Sequence, residues 1–270
     1  MADLNAATDD QLVAVLDVET TGLFPRSDRV CEVGIVLGKG DEVLDTYQTL
    51  VNPLRPISLG AARVNGLSDL DVCDAPTFGE IAGEVLARVD GRLLVCHNAP
   101  FDLSFLKAEF YRAGLSWQPA GVIDTLEIAR RRFRFASNSL EALTARLGIR
   151  NPQAHRALGD ALATFQVLRM LYRQLPGGAR LESFASSYSP AASFETEADL
   201  PPELQQALSN GGTALITYED AQGERTFRRI SPRGVATQNG ITYLVAFCHL
   251  RQEERLFRLD RIVEIEIEAG

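Results

Sequence analysis

Two short runs of apolar, β-branched residues open the chain, LVAVLDV at 12–18 and VCEVGIVL at 30–37. The turn GKGD at 38–41 then leads into EVLDTYQTLVNP. Apolar runs bounded by turn residues predict strands, here three in succession. From residue 77 the period changes. Phe78, Ile81, Val85, Leu86 and Val89 share one face of TFGEIAGEVLARV, which predicts a helix over 77–89. LLVC at 93–96 reads as a further buried strand, followed by the loop HNAPF and a helix from about Asp102 to Ala113. A strand and helix over 121–132, a serine-capped helix over 137–147 and a long amphipathic helix over 156–174 complete the pattern. Strands first, then strands alternating with helices, predict an α/β domain with a mixed sheet flanked by helices, ending near residue 175.

The next stretch, PGGARLESFASSYSPAASFETEADLPPE, has neither hydrophobic period and is rich in Gly, Ser, Ala, Pro and acids. It reads as a flexible acidic linker over 176–210. From about 212 the pattern is TALITYED, ERTFRRISPRGVAT, ITYLVAFCHL and RLFRLDRIVEIEIE, with turns at AQG and QNG. Four or five strands in so short a length predict a small all-β module over 211–270, a barrel or a strongly bent sheet. The expected domains are therefore 1–175 and 211–270, joined by 176–210.

With 46% hydrophobic residues in 270, the composition excludes a chain disordered throughout. No window approaches ~18 uninterrupted apolar residues, so no membrane span is expected. The opening MADLNAATDDQL lacks the basic and apolar regions of a signal peptide. Cys31, Cys73, Cys96 and Cys248 are scattered and suggest neither a zinc site nor a disulfide framework, so a reduced, cytoplasmic chain is the expectation. The net charge of −9 argues at first against a nucleic-acid partner, but residues 181–210 hold five acids and no base. The flanking segments are nearly balanced, so the total says little about their surfaces. All bases but Lys39 and Lys107 are arginines, which suits bidentate phosphate contacts and equally follows from a coding bias.

Asp17 and Glu19 stand at i and i+2 at the end of the first strand and so point to one face. Two like charges beside a buried sheet repel, and a hard divalent cation such as Mg²⁺ or Mn²⁺ removes that cost. Asp102 lies at a helix start, where it reads as an N-cap or a ligand. Asp160 lies one turn inside the helix that begins near Arg156, where it complements the helix dipole or joins the other acids. His155 sits in the loop just before it. Four acids and a histidine at strand ends and helix starts occupy the edge where an α/β sheet presents its active site.

These residues resemble a family. D-V-E-T-T-G at 17–22, H-N-A-P-F-D at 97–102 and H-R-A-L-G-D-A at 155–161, with V-I-D-T at 122–125 between, are similar in order and spacing to the motifs of the DEDDh (DnaQ-like) 3′–5′ exonucleases. The resemblance covers residues 10–175. It implies an RNase H-like fold and hydrolysis of 3′-terminal phosphodiesters with two divalent metal ions. Asp17, Glu19, Asp102 and Asp160 would be the metal ligands, and His155 the general base. It further points to Thr20, Thr21, Leu23, Asn98 and Phe101 as nucleic-acid contacts, with Phe101 equally readable as a core residue. A-A-R-V-N-G-L at 61–67 resembles the family's pocket for the terminal base, except that Asn65 stands where a histidine is common. The run Arg130, Arg131, Arg132 and Arg134 reads as a solvated helix face and loop, or as a track for a phosphate backbone.

The stretch ITYLVAFCHLRQEERLFRLDRI at 241–262 resembles the WYL domain, with Thr242 in place of its tryptophan. That resemblance implies a small Sm-like barrel that binds nucleic acid or another anionic ligand, with Tyr243, Arg251, Arg258 and Arg261 as ligand candidates. An inert β-domain whose arginines pair with Glu253, Glu254 and Asp260 is the alternative. The combined expectation is a metal-dependent exonuclease acting on single-stranded DNA. Its rivals are an exoribonuclease and a WYL-based regulatory binding protein that keeps the nuclease domain as scaffold.

Overall fold

β1 (Leu12–Thr20) shows no alternation of apolar and polar residues because both of its faces are covered: Val13 and Val15 enter one core, while Ala14, Leu16 and Val18 enter the other. The computed structural model describes residues 11–23, 25, 28–175, 181–186, 200–220, 224–238 and 241–267. The chain divides into two units, Met1–Tyr188 and Ser189–Gly270. In the first, β1 pairs antiparallel with β2 (Val30–Lys39), and β2 with β3 (Glu42–Leu50). Two short helices, α1 (Leu59–Asn65) and α2 (Asp69–Val72), precede α3 (Phe78–Val89). β4 (Leu93–Cys96) and β5 (Gly121–Asp124) continue the sheet parallel to β1, giving the order β3-β2-β1-β4-β5. α3 and α4 (Ala99–Arg112) pack on one face. α5 (Thr125–Arg132), α6 (Leu140–Leu147) and α7 (Ala157–Arg173) pack on the other.

The parity of β1 places the acids. Asp17 and Glu19 continue the series Val13, Val15 and therefore lie on the face that receives α7. Across the ladder, Gly34 pairs with Asp17 and Glu32 with Glu19. A Cβ built on Gly34 would lie 2.2 Å from the carbonyl carbon of Ala157, and one on Gly38 would lie 2.5 Å from the Phe165 ring. The two glycines are thus a groove in β2 for α7, and the first turn of that helix, with Asp160, is drawn down beside Glu19.

The helix expected from Asp102 starts three residues earlier. Asn98 is its N-cap in a left-handed conformation (φ 77°), and Pro100 occupies the first turn. Asparagine tolerates that conformation, and proline suits a first turn because its missing N–H would have no partner there. Asp102 consequently lies inside the helix and does not cap it. α1 and α2 were not foreseen from periodicity, being one or two turns long with exposed apolar residues. Their signals are local: Ser58 caps Ala61, and Ser68 with Asp71 forms a capping box.

The stretch expected as linker over 176–210 has structure at both ends. Leu181–Phe184 forms a 3-10 turn with Leu181 in the first unit's core, and Ser186 exchanges two backbone hydrogen bonds with Val122. Pro202–Asn210 is a helix, α8, whose Leu204 and Ala207 are buried in the second unit's core with Ile216, Ile230, Leu244 and Phe257. Residues 176–180 and 187–199 lie outside the described residues. The second unit is otherwise the expected all-β module: β6 (Ala214–Glu219), β7 (Arg225–Gln238), β8 (Ile241–Cys248), β9 (Glu253–Arg258) and β10 (Ile262–Ile267) form an antiparallel sheet in the order β10-β6-β7-β8-β9. The expected barrel is not closed by pairing of its edges among the described residues, since β9 and β10 each have one partner strand. No described helix is long and apolar enough to cross a membrane.

Gly34→Ala is expected to cost about 2 kcal/mol, because the clash is with backbone that has no rotamer to yield. Gly83→Ala in α3, which has open space around it, is expected to be neutral or slightly stabilising. Urea unfolding followed by the fluorescence of Trp117 compares the two, and equal midpoints would remove the groove argument. In the second unit, Leu204→Ala is expected to cost about 3 kcal/mol and Glu203→Ala less than about 0.5 kcal/mol. Hydrogen exchange of β8 amides reads this, and a neutral Leu204→Ala would return α8 to the linker.

Candidate active site

The carboxyl ends of β1, β4 and β5 meet at one edge of the sheet, and α7 presents its first turn to the same edge. Carboxylate oxygens of Asp17, Glu19 and Asp160 lie within 4.8 Å of one another. Asp102, which is 3% exposed, accepts a hydrogen bond from the Val18 backbone N–H at 3.1 Å and so fixes α4 to the end of β1. Burial pushes the Asp17 carboxyl well above the usual range, and the charges of Asp102, Glu19 and Asp160 push it further. Burial, Asp160 and Glu32 push Glu19 up to about 8, against the pull of Arg156. Asp102 and Asp160 are raised by burial too, in each case against hydrogen bonds that favour the carboxylate. A raised value throughout means that these acids meet too little positive charge from the protein itself.

The rest of the edge keeps those acids in place. Glu32, fully buried on β2, receives two hydrogen bonds from the Arg156 guanidinium (2.7 and 3.0 Å), one from Gln48 Nε2 and one from the Ala157 backbone N–H. It thereby caps α7 and clamps it to β2. Asn151 Nδ2 donates to Asp160 Oδ1 at 2.6 Å, and the His155 N–H donates to Asp160 Oδ2 at 3.1 Å. Asp124, at the end of β5, accepts from the backbone N–H groups of Asn98 and Ala99 and so orients α4, which carries Asp102.

The expected residues divide accordingly. Asp17, Glu19 and Asp160 come together with Asp102 behind them. His155 is exposed next to Asp160, in a left-handed conformation (φ 60°) uncommon for residues other than glycine. Thr20 and Thr21 are buried, with the Thr20 hydroxyl bonded to the Gly22 carbonyl and that of Thr21 to Asp28 and the Arg29 N–H. Their hydroxyls shape the turn, and Leu23 beyond it is half-buried. Asn98 is half-buried and its side chain makes no capping bond. Phe101 packs on the core, with its ring 5.1 Å from that of Phe105. Asn65 is also structural: it donates to the Thr20 carbonyl and accepts from the Leu67 N–H, tying α1 to the end of β1.

Sequence reasoning missed Glu32, Arg156, Asn151 and the role of His97. Glu32 was visible as the one acid in an apolar strand pattern. His97 has its ring between the Thr125 hydroxyl (2.8 Å) and the Asn138 carbonyl (2.9 Å). A carbonyl only accepts, so Nε2 carries the proton, and burial lowers the ring's pKa to about 4, keeping it neutral. In the second unit, Tyr243 and Arg258 face each other across β8 and β9, and Arg261 lies in the next turn, Leu259–Arg261. The Arg258 guanidinium already holds Asp260 with two hydrogen bonds. Arg251 is at the opposite end of that hairpin, about 17 Å along the strands from Tyr243 at ~3.3 Å per residue, and does not join them.

Residues 14–168 match the RNase_T exonuclease family model, and residues 200–267 match the WYL domain. The DNA polymerase III PolC-type protein of Caldanaerobacter subterraneus subsp. tengcongensis is 36% identical over 162 residues, 60% of this chain and 12% of the relative. The 3′-5′ exonuclease DinG of Bacillus subtilis is 34% identical over 172 residues, 62% of this chain and 18% of the relative. The chain therefore spans less than a fifth of either relative's length. Among solved structures, exonuclease X in complex with 5′-overhanging duplex DNA is similar with a TM-score of 0.52 at 26% identity, covering 64% of this chain and 97% of that one. With its carboxylate edge inside the matched region, the chain belongs to the exonuclease family and carries a WYL domain after the nuclease fold.

Proposed function

We propose that the chain is a 3′–5′ exonuclease that shortens single-stranded DNA from its 3′ end, releases nucleoside monophosphates and depends on two divalent metal ions. The observation that carries this is the convergence of Asp17, Glu19 and Asp160 within 4.8 Å on an exonuclease-family domain, with Asp102 behind them. The donor set fits such ions: all ligand atoms are hard carboxylate oxygens, and all four acids are raised by burial, Asp17 and Glu19 further by their neighbours' charges. Asp17, Glu19 and Asp160 would hold one ion, and Asp17 with Asp102 the other. When bound, such ions neutralise an anionic phosphodiester and stabilise charge on the attacking and leaving oxygens.

This chain's own residues do the remaining work. His155, exposed beside Asp160, takes the proton of the attacking water. Its backbone N–H and Asn151 hold Asp160 in one orientation meanwhile. Leu23, Asn98 and Phe101, with the main chain of Thr20 and Thr21, face the terminal nucleotide. In the WYL unit, the Tyr243–Arg258 pair and Arg261 are the place for the strand or for an anionic regulatory ligand, and Arg251 contributes separately.

A 5′-labelled single-stranded DNA incubated with Mg²⁺, with Mn²⁺ and with EDTA tests the reading, beside an RNA of the same sequence. Stepwise shortening of DNA that needs metal and disappears in the Asp17→Ala, Asp160→Ala double variant is expected. Immediate release of the labelled 5′-terminal nucleotide, or faster shortening of the RNA, would overturn direction or substrate respectively. The raised acids give a second expectation. In EDTA the folded cluster retains protons that the unfolded chain has already lost, so stability falls as pH rises toward and through about 8, the value for Glu19. His97, lowered to about 4, contributes the opposite slope only below its ordinary value near 6.5. Between about pH 6.5 and 8.5 the melting temperature should therefore drop in EDTA, drop less in Glu19→Gln, and recover with Mn²⁺. A flat curve in EDTA would count against the cluster as a metal site.

A further inference from the structure

Residues 128–151 run from α5 to the loop before α7 and carry six arginines, Arg130, Arg131, Arg132, Arg134, Arg146 and Arg150, against one acid, Glu141. All six are exposed. Five other arginines of the first unit have carboxylate partners: Arg29 with Glu109, Arg55 with Asp28, Arg156 with Glu32, and Arg169 and Arg173 with Asp41. In this segment Arg131 pairs with Glu127, and Arg132 lies over the Phe184 ring. Arg130, Arg134, Arg146 and Arg150 have no carboxylate partner among the described residues. An exposed run of arginines without counter-charges presents a positive surface that attracts polyanions.

The segment is also fastened to the active edge at three points. Thr125, just before it, holds His97 Nδ1 at 2.8 Å, the Asn138 carbonyl in its middle holds His97 Nε2 at 2.9 Å, and Asn151 at its end holds Asp160 at 2.6 Å. Arg130 is near enough for its charge to help keep His97 neutral. Between α5 and α6, Phe133 and Phe135 stack at 5.4 Å and pack on the core, and Arg134 between them is left on the exposed side. The segment that carries the arginines is therefore fastened to the carboxylate edge through His97 and Asp160.

We propose that residues 128–151 form a track for the upstream phosphates of a DNA single strand whose 3′ end lies at the carboxylates. The proposal rests on the reading of that edge as a 3′ exonuclease site, and adds which surface carries the rest of the strand.

The test uses the full chain with Arg130, Arg134, Arg146 and Arg150 all changed to Ala, and a second variant with all four changed to Lys. Binding of a labelled deoxythymidine oligonucleotide of about 20 residues is measured in EDTA over a range of salt, and hydrolysis is measured on the p-nitrophenyl ester of thymidine 5′-monophosphate, which has no upstream phosphate. The alanine variant is expected to bind the oligonucleotide at least about tenfold more weakly. Its salt dependence should flatten by between two and three units of slope, at roughly 0.7 per lost phosphate contact. The lysine variant should keep most of the affinity, and the ester should be cleaved equally by all three proteins. Unchanged oligonucleotide affinity and salt slope in the alanine variant would overturn the track whatever the ester shows. Because binding is read without turnover, an inert wild type would remove the nuclease reading while a loss of affinity in the variant would still support the track.

Discussion

Glu32 and Arg156 lie 124 residues apart and meet in an ion pair whose carboxylate is fully buried. A buried carboxylate is costly unless every lone pair is used, and here the guanidinium, Gln48 and the Ala157 N–H use them. The geometry of the site follows from that satisfaction. The pair sets the N-terminus of α7 on β2, Gly34 lets the helix come close enough, and Asp160 then falls beside Glu19, its neighbour across the ladder from Glu32. Without the clamp, the mutual repulsion of Asp17, Glu19 and Asp160 would act on a helix end that has lost its ion pair to the sheet.

Asp124 plays a corresponding part at the other end of the edge. It caps α5 through the Leu126 N–H and accepts from Asn98 and Ala99, so one carboxylate orders two helix starts. Asp102 then reaches back to Val18 and locks α4 to β1. The acids are thus held by strands and helix ends, with only His155 on a loop. The role proposed for His155, approaching a water and then releasing its proton, needs some freedom, and the acids need none.

How far the sequence revealed this depends on how local each cause is. Strands and long helices were legible because burial on one or two faces writes a period into the chain, and LVAVL or TFGEIAGEVLARV carry it openly. The five residues at the active edge were legible because their motifs are local in sequence. α8 was not, since its apolar face, Leu204 and Ala207, is diluted by prolines and acids and has meaning only against the sheet that follows. The Glu32–Arg156 clamp was hidden for a related reason: Glu32 stands out in its apolar strand, but nothing local names Arg156, 124 residues on, as its partner. The grouping of the WYL arginines failed on topology. Arg251 and Arg258 are near in sequence, but a hairpin sends them to opposite ends of its strands.

The charge distribution bears on the choice between enzyme and scaffold. A domain kept only for its shape would gain stability by neutralising Asp17, Glu19 or Asp102, since burial and mutual repulsion raise all of them. The fold instead gives two further acids, Glu32 and Asp124, to holding those three and Asp160 in place. It also strips the neighbouring segment, residues 128–151, of acids except Glu141. The edge concentrates negative charge, and among the described residues Arg130, Arg134, Arg146 and Arg150 of the neighbouring segment have no carboxylate partner. In the proposed reading, cations answer the carboxylates and the phosphates of a strand answer the arginines, whereas a bare scaffold has a use for neither.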